Sequence, residues 1–145
     1  MYRSRLLSTI LLMSTLLFSA TTNAEQYKSL GSFEVHYIAL PSTFIQADTA
    51  SKYKIKRSEN NGLINISILD KKDGNKAVKS VLNGTGKNLI GQTHQLNFIE
   101  VKEGDAIYYL AEYPFTNEEI VNFTININAN NESKTLKFQH KFYVE

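Results

Sequence analysis

The chain has 145 residues, a formal net charge of +2, two methionines and no cysteine. The length suits one folded domain, and the lack of cysteine excludes disulfide stabilisation, thiol catalysis and cysteine-ligated zinc. Met1, Met13 and two of the 16 basic residues, Arg3 and Arg5, fall within the first 24 positions, so the remainder carries 14 basic against 14 acidic groups and no thioether, which argues against copper(I) carriage, nucleic acid and anionic lipid.

Those 24 residues read as a cleaved secretory signal. Arg3 and Arg5 form a positive n-region, residues 6–18 an apolar stretch short for a bilayer span, and Thr22-Asn23-Ala24 supplies small residues before Glu25. Residues 25–145 are then expected as a single exported domain without an anchor.

Period-two alternation recurs through this domain and no helical periodicity outlasts about two turns, which predicts an all-β fold. A first strand is expected over 31–40, where Phe33, Val35 and Tyr37 alternate with Glu34 and His36 until Pro41 ends it. Asp48 is expected to cap a short helical turn through Tyr53, and Lys52, Lys54, Lys56 and Arg57 read as a solvated loop, since no glycine-rich cradle accompanies them. The next strand, 63–70, puts Ile64, Ile66 and Ile68 on one face. A bulged turn at Lys72-Asp73-Gly74, with Gly74 left-handed, keeps that face apolar by pairing Ile68 with Val78, Ile66 with Ser80 and Ile64 with Leu82 in a strand over 76–82.

Asn83-Gly84-Thr85-Gly86 reads as an irregular edge or bulge, and 89–92 as a connection between sheets. A hairpin of 93–102 with 106–113 around Glu103-Gly104 sets Phe98 opposite Tyr109 and Ile99 opposite Tyr108. After a turn at Asn117-Glu118-Glu119, residues 120–128 place Val121, Phe123, Ile125 and Ile127 on one face. Asn130-Asn131 turns the chain into a last strand over 134–144, with Leu136, Phe138, Phe142 and Val144 inward. About seven antiparallel strands with one apolar face each predict an immunoglobulin-like β-sandwich.

His36, His94 and His140 fall on separate strands without a close-spaced pair. Zinc or copper(II) ligation, with Glu34 as an oxygen donor beside His36, is therefore weaker than the reading of surface or packed histidines, and His140 is expected to point inward. Glu100, Glu103, Asp105, Glu118 and Glu119 lack the spacing of hydrolytic carboxylate pairs or a calcium loop and are assigned to turns and caps. No nucleophile elbow, zinc-protease, phosphate-loop or dinucleotide motif occurs, so no catalytic residue, metal ligand or cofactor is assigned. Tyr108, Tyr109 and Tyr113, with Tyr37, Tyr143 and Phe115, form an aromatic-rich set. Adjacent strand positions face opposite ways, so Tyr108 or Tyr109 is a candidate contact surface, weighed against the favoured alternative of packing between sheets. His94, Glu100 and Tyr113 share a face in the hairpin register above and form the candidate pocket for a small ligand or metal.

Gly62-Leu63-Ile64-Asn65-Ile66-Ser67, Asn88-Leu89-Ile90-Gly91-Gln92 and Glu100-Val101-Lys102-Glu103-Gly104-Asp105-Ala106-Ile107-Tyr108-Tyr109 resemble the signature stretches of the family called domain of unknown function 4426, small exported proteins of gammaproteobacteria. Lys102 stands where that pattern suggests arginine, and Ala47 where it suggests proline. The resemblance implies a periplasmic location and brings no activity, cofactor or site residue with it. The expected function is that of a non-catalytic periplasmic β-sandwich acting through contacts with an envelope protein. Binding of a small ligand or metal is the second reading, and a hydrolase the third.

Overall fold

Alternating apolar side chains from both halves of the chain meet between two antiparallel sheets. The computed structural model describes residues 26–145, and the signal sequence expected over 1–24 lies outside them. In the first sheet β1 (Gln26–Leu30), β2 (Phe33–Pro41), β3 (Asn61–Asp70), β8 (Ala106–Pro114) and β7 (Ile99–Glu103) lie side by side, and the two-residue β4 (Lys76–Ala77) pairs with the end of β3. The second sheet has the order β10 (Glu132–Phe142), β9 (Glu119–Ala129), β5 (Val81–Asn88), β6 (Thr93–Leu96). The core joins Phe33 and Val35 of β2, Ile64, Ile66 and Ile68 of β3, and Tyr113 of β8 to Val121, Phe123, Ile125 and Ile127 of β9 and Leu136 and Phe142 of β10. The fold is the expected all-β sandwich. Among the described residues no helix is long and apolar enough to cross a membrane.

Where alternation is strongest the expected pairing is found. Asn130 and Asn131 take φ of 47° and 61°, as a two-residue primed turn requires, and Phe123 lies opposite Phe138 along the β9–β10 ladder. The β3–β4 register also has the expected start: Leu69 pairs with Ala77, Val78 N donates to Ile68 O at 2.9 Å, and Gly74 is left-handed with φ 61°. It ends there. Ile66 and Ile64 pair with Tyr109 and Ala111 of β8, not with Ser80 and Leu82, because the chain after Val78 crosses to the second sheet and β5 pairs with β9.

Gly84 and Gly86 lie in β5, a regular strand paired on both sides, and not at an irregular edge. A Cβ on Gly86 would stand 2.5 Å from Cε2 of Tyr113 and 2.9 Å from Cε1 of Phe123, so this glycine makes room for two core rings. Residues 89–92 are the turn of the β5–β6 hairpin within one sheet, and do not connect the sheets. The strand expected over 93–102 is two strands: β6 pairs with β5, β7 pairs with β8, and the chain changes sheets at Asn97-Phe98. The β7–β8 turn is Gly104-Asp105, with Gly104 at φ 59°. Tyr109 therefore faces Glu100 and Tyr108 faces Val101, in place of Phe98 and Ile99. Moving a turn by one residue shifts each partner by two, so every side chain keeps its face.

The short helix α1 (Ala47–Lys52) begins after Gln46, and Asp48 sits in its first turn, accepting from Thr49 N at 2.8 Å, without capping the helix. The edge strand β1 escapes the sequence pattern because four of its five residues are exposed. It closes one flank of the sandwich against β10: Ser32 Oγ donates to Glu132 Oε1 at 2.5 Å, and Lys28 Nζ donates to the carbonyl of Lys137. The Ser32 hydrogen bond, aided by Lys134, holds the Glu132 carboxyl below its ordinary range.

Candidate functional site

The structure separates the residues singled out in the sequence. Tyr109 and Tyr113 point into the core and are buried, while Tyr108 lies half-buried on the outer face of the first sheet, so the three tyrosines share no common surface. Tyr109 Oη accepts from Ser80 N at 2.6 Å and donates to Glu100 Oε2 at 3.2 Å; burial, with a contribution from Glu100, pushes its phenol pKa up. The Tyr113 ring meets His94 edge-on at 5.4 Å and Phe123 at 5.3 Å, and stacks with Phe142 at 6.0 Å. Its hydroxyl is buried with no hydrogen-bond partner among the described residues, and burial, aided by the Glu119 charge, pushes the phenol up to about 12. His94 and Tyr113 thus do meet, but from opposite sheets. Glu100 does not join them; it turns to Tyr109 and Lys102, the latter at 3.6 Å.

His36 Nε2 lies 2.6 Å from Glu34 Oε1 and the ring stacks on Tyr27. His140 packs edge-on against Phe142 at 4.5 Å, and burial pushes its imidazole pKa down. Among the described residues no three His, Asp or Glu side chains converge as metal ligands.

Two other places combine exposed or unpaired groups with fixed geometry. The first is the β5–β6 turn. Leu89 and Ile90 are 68% and 81% exposed, whereas Asn88 beside them is only 8% exposed. The Asn88 side chain clamps the turn: Nδ2 donates to Gln92 Oε1 at 2.9 Å and to Glu119 Oε1 at 2.8 Å, and Oδ1 accepts from Gln92 N at 2.8 Å. Backbone bonds from Asn88 N to Gln92 O and from Gly91 N to Asn88 O tighten it further. Glu119 in turn accepts from Thr116 N, which ties the turn to the β8–β9 loop. The sequence carried a signal for this place, two adjacent aliphatics inside an Asn–Gly-bounded turn, but reading 89–92 as an inter-sheet crossing hid it.

The second is the outer face of the first sheet. Ala50 of α1 and Ile55 cover Leu63, Val101 and Leu110. The rest of the face is an open trough whose two parts, of about 420 and 760 Å³, meet at Tyr108. Asn65 lines it, and its Oδ1 is buried without a partner among the described residues. The outer face of the second sheet is different, being a polar ladder in which Thr135 bonds to Asn126 and Asn126 to Asn83.

These features define a small two-sheet antiparallel β-sandwich with a projecting apolar turn at one end and an open trough on one face. The chain belongs to the DUF4426 family, described as a domain of unknown function, whose profile matches residues 27–145. A crystal structure of a DUF4426 family protein from Pseudomonas aeruginosa is 34% identical, with a TM-score of 0.75 over 83% of this chain and 96% of that one. Two structures of FetP from uropathogenic Escherichia coli strain F11 share the fold at 12% identity. A copper-bound variant has a TM-score of 0.61, covering 84% of this chain and 97% of its own. The as-isolated protein, recombinantly expressed in the E. coli periplasm, has a TM-score of 0.54, covering 82% and 92%. No curated protein matches the chain.

Proposed function

We propose that the domain is a non-catalytic periplasmic module that binds an envelope protein through Leu89 and Ile90. The observation that carries this reading is the pairing of a buried Asn88 clamp with two aliphatic side chains held out in water. A turn already fixed by hydrogen bonds loses little further freedom on association, and burying both side chains against a partner contributes on the order of 2 to 4 kcal/mol. That is the scale of an interface hot spot. The signal-like first 24 residues support the periplasmic address. FetP is described as copper-bound. For this chain copper has less support, since its histidines lie on β2, β6 and β10 and residues 25–145 contain no methionine.

A photocrosslinking amino acid placed at Leu89 or Ile90 in living cells tests the reading. Both positions should give an adduct of one mass, which is absent when the probe is at Thr135 on the polar ladder and lost when Asn88→Ala loosens the turn. No adduct from the turn, or the same adducts from Thr135, would overturn it.

A further inference from the structure

We propose that the trough on the outer face of the first sheet is a second site, independent of the turn, that binds an extended peptide segment alternating apolar and basic residues. Its shape carries the first part of the argument. Beyond Leu63, which Ala50 and Ile55 cover, Asn65, Ser67 and Leu69 line it one after another along β3, at the spacing of about 7 Å between alternate strand residues, so the open floor extends for about 14 Å. About four to five residues of extended chain match that length, and their alternate side chains fall at the same spacing as the floor positions. A straight, open trough of this kind fits a strand better than a compact molecule, which is held by an enclosing pocket.

Charge and hydrogen bonding give the chemistry. Glu103 and Asp105 stand on the β7–β8 side, and on the other side Glu34 holds the lining His36. Among the described residues Lys76 is the only lysine or arginine that lines the two parts. The excess of carboxylates selects for basic side chains on the occupant. Between them Asn65 Oδ1 is out of water and unpaired, a costly state for an amide oxygen. A half-turn about its soft χ2 torsion exchanges the amide oxygen and nitrogen, so Asn65 offers the trough either an acceptor or a donor, to which a bound strand supplies the matching backbone group.

The test uses the isotope-labelled exported protein and two capped hexapeptides, one alternating lysine with leucine and the other glutamate with leucine. The basic peptide should cause saturable NMR shifts at the Asn65 side-chain amide and at the backbone of Ser67, Tyr108 and Leu110. The acidic peptide should bind at least about tenfold more weakly. Asp105→Asn should weaken the basic peptide by about threefold, and Leu89→Ser with Ile90→Ser should leave its binding unchanged. Equal binding of both peptides, shifts confined to β9 and β10, or no saturation at millimolar peptide would overturn the assignment. So would trough shifts that grow with protein concentration alone, since a second copy would then be the occupant.

Discussion

Gly86→Ala tests the packing that joins the two sheets. The added methyl would begin 2.5 Å from Tyr113 Cε2 and 2.9 Å from both Tyr113 Cδ2 and Phe123 Cε1. Carbon atoms pack comfortably at about 3.5 Å, so the tyrosine ring must shift by about 1 Å. Phe123 and Phe142 hold that ring from within the core, while His94 on the exposed edge strand β6 gives it one yielding neighbour. Overpacking of this kind costs about 1–3 kcal/mol, and removing a strand glycine returns about 0.5–1 kcal/mol. The net loss should be about 1–2 kcal/mol, read in urea as a midpoint lowered by roughly 0.5–1 M. Tyr113→Leu introduced into the Gly86→Ala protein should cost less than the two separate losses predict, with a coupling on the order of 1 kcal/mol. A Gly86→Ala protein as stable as the parent, or losses that simply add, would refute the claim that Gly86 exists to admit the ring.

Tyr113→Phe removes a buried hydroxyl that has no protein partner, so the urea midpoint should hold or rise, by up to about 1 kcal/mol of stability; a clear loss would mean that the hydroxyl is satisfied by ordered water. Asn88→Ala removes the partner of Gln92 N and that of Glu119 Oε1 and should cost about 2–3 kcal/mol, with faster hydrogen exchange at Gln92; unchanged protection there would contradict the clamp. His140 has a folded pKa below its unfolded value because of burial, so the unfolded chain takes up its proton first and stability falls as pH drops through the imidazole range. His140→Gln should flatten the difference between midpoints at about pH 7.5 and 5.5, and an equal difference in both proteins would place its origin elsewhere.

The legible parts of this fold are those with water on one side. The outer face of β9 carries Asn122, Asn126 and Asn128 in solvent, so its alternation shows and the Asn130-Asn131 turn fixes the register. In β8 the pattern fades because Leu110 is buried on the outer face by α1 and Ile55 while Tyr109, Ala111 and Tyr113 are buried on the inner one. Apolar residues on both faces leave nothing to say which tyrosine points where. Gly84 and Gly86 misled for a related reason: a strand glycine reads as a bulge when the ring that needs its space is distant in sequence. The trough is not legible in the sequence because it depends on where α1 comes to rest over β3 and on β4 pairing beside it. The projecting turn was legible as residues and misread as topology.

The flank where β1 meets β10 sets an order of events for the chain. Ser32 and Glu132 are 100 positions apart, and Lys28 and Lys137 are 109 apart, whereas β9 and β10 are neighbours joined by a two-residue turn. Synthesis from the N-terminus delivers β1 first and its partner across the seam last. The early strands can form hairpins as they emerge, but the sandwich shuts only when β10 arrives. With no disulfide able to hold a half-built intermediate, the apolar face of the first sheet waits uncovered until then, and aggregation competes with closure over that interval.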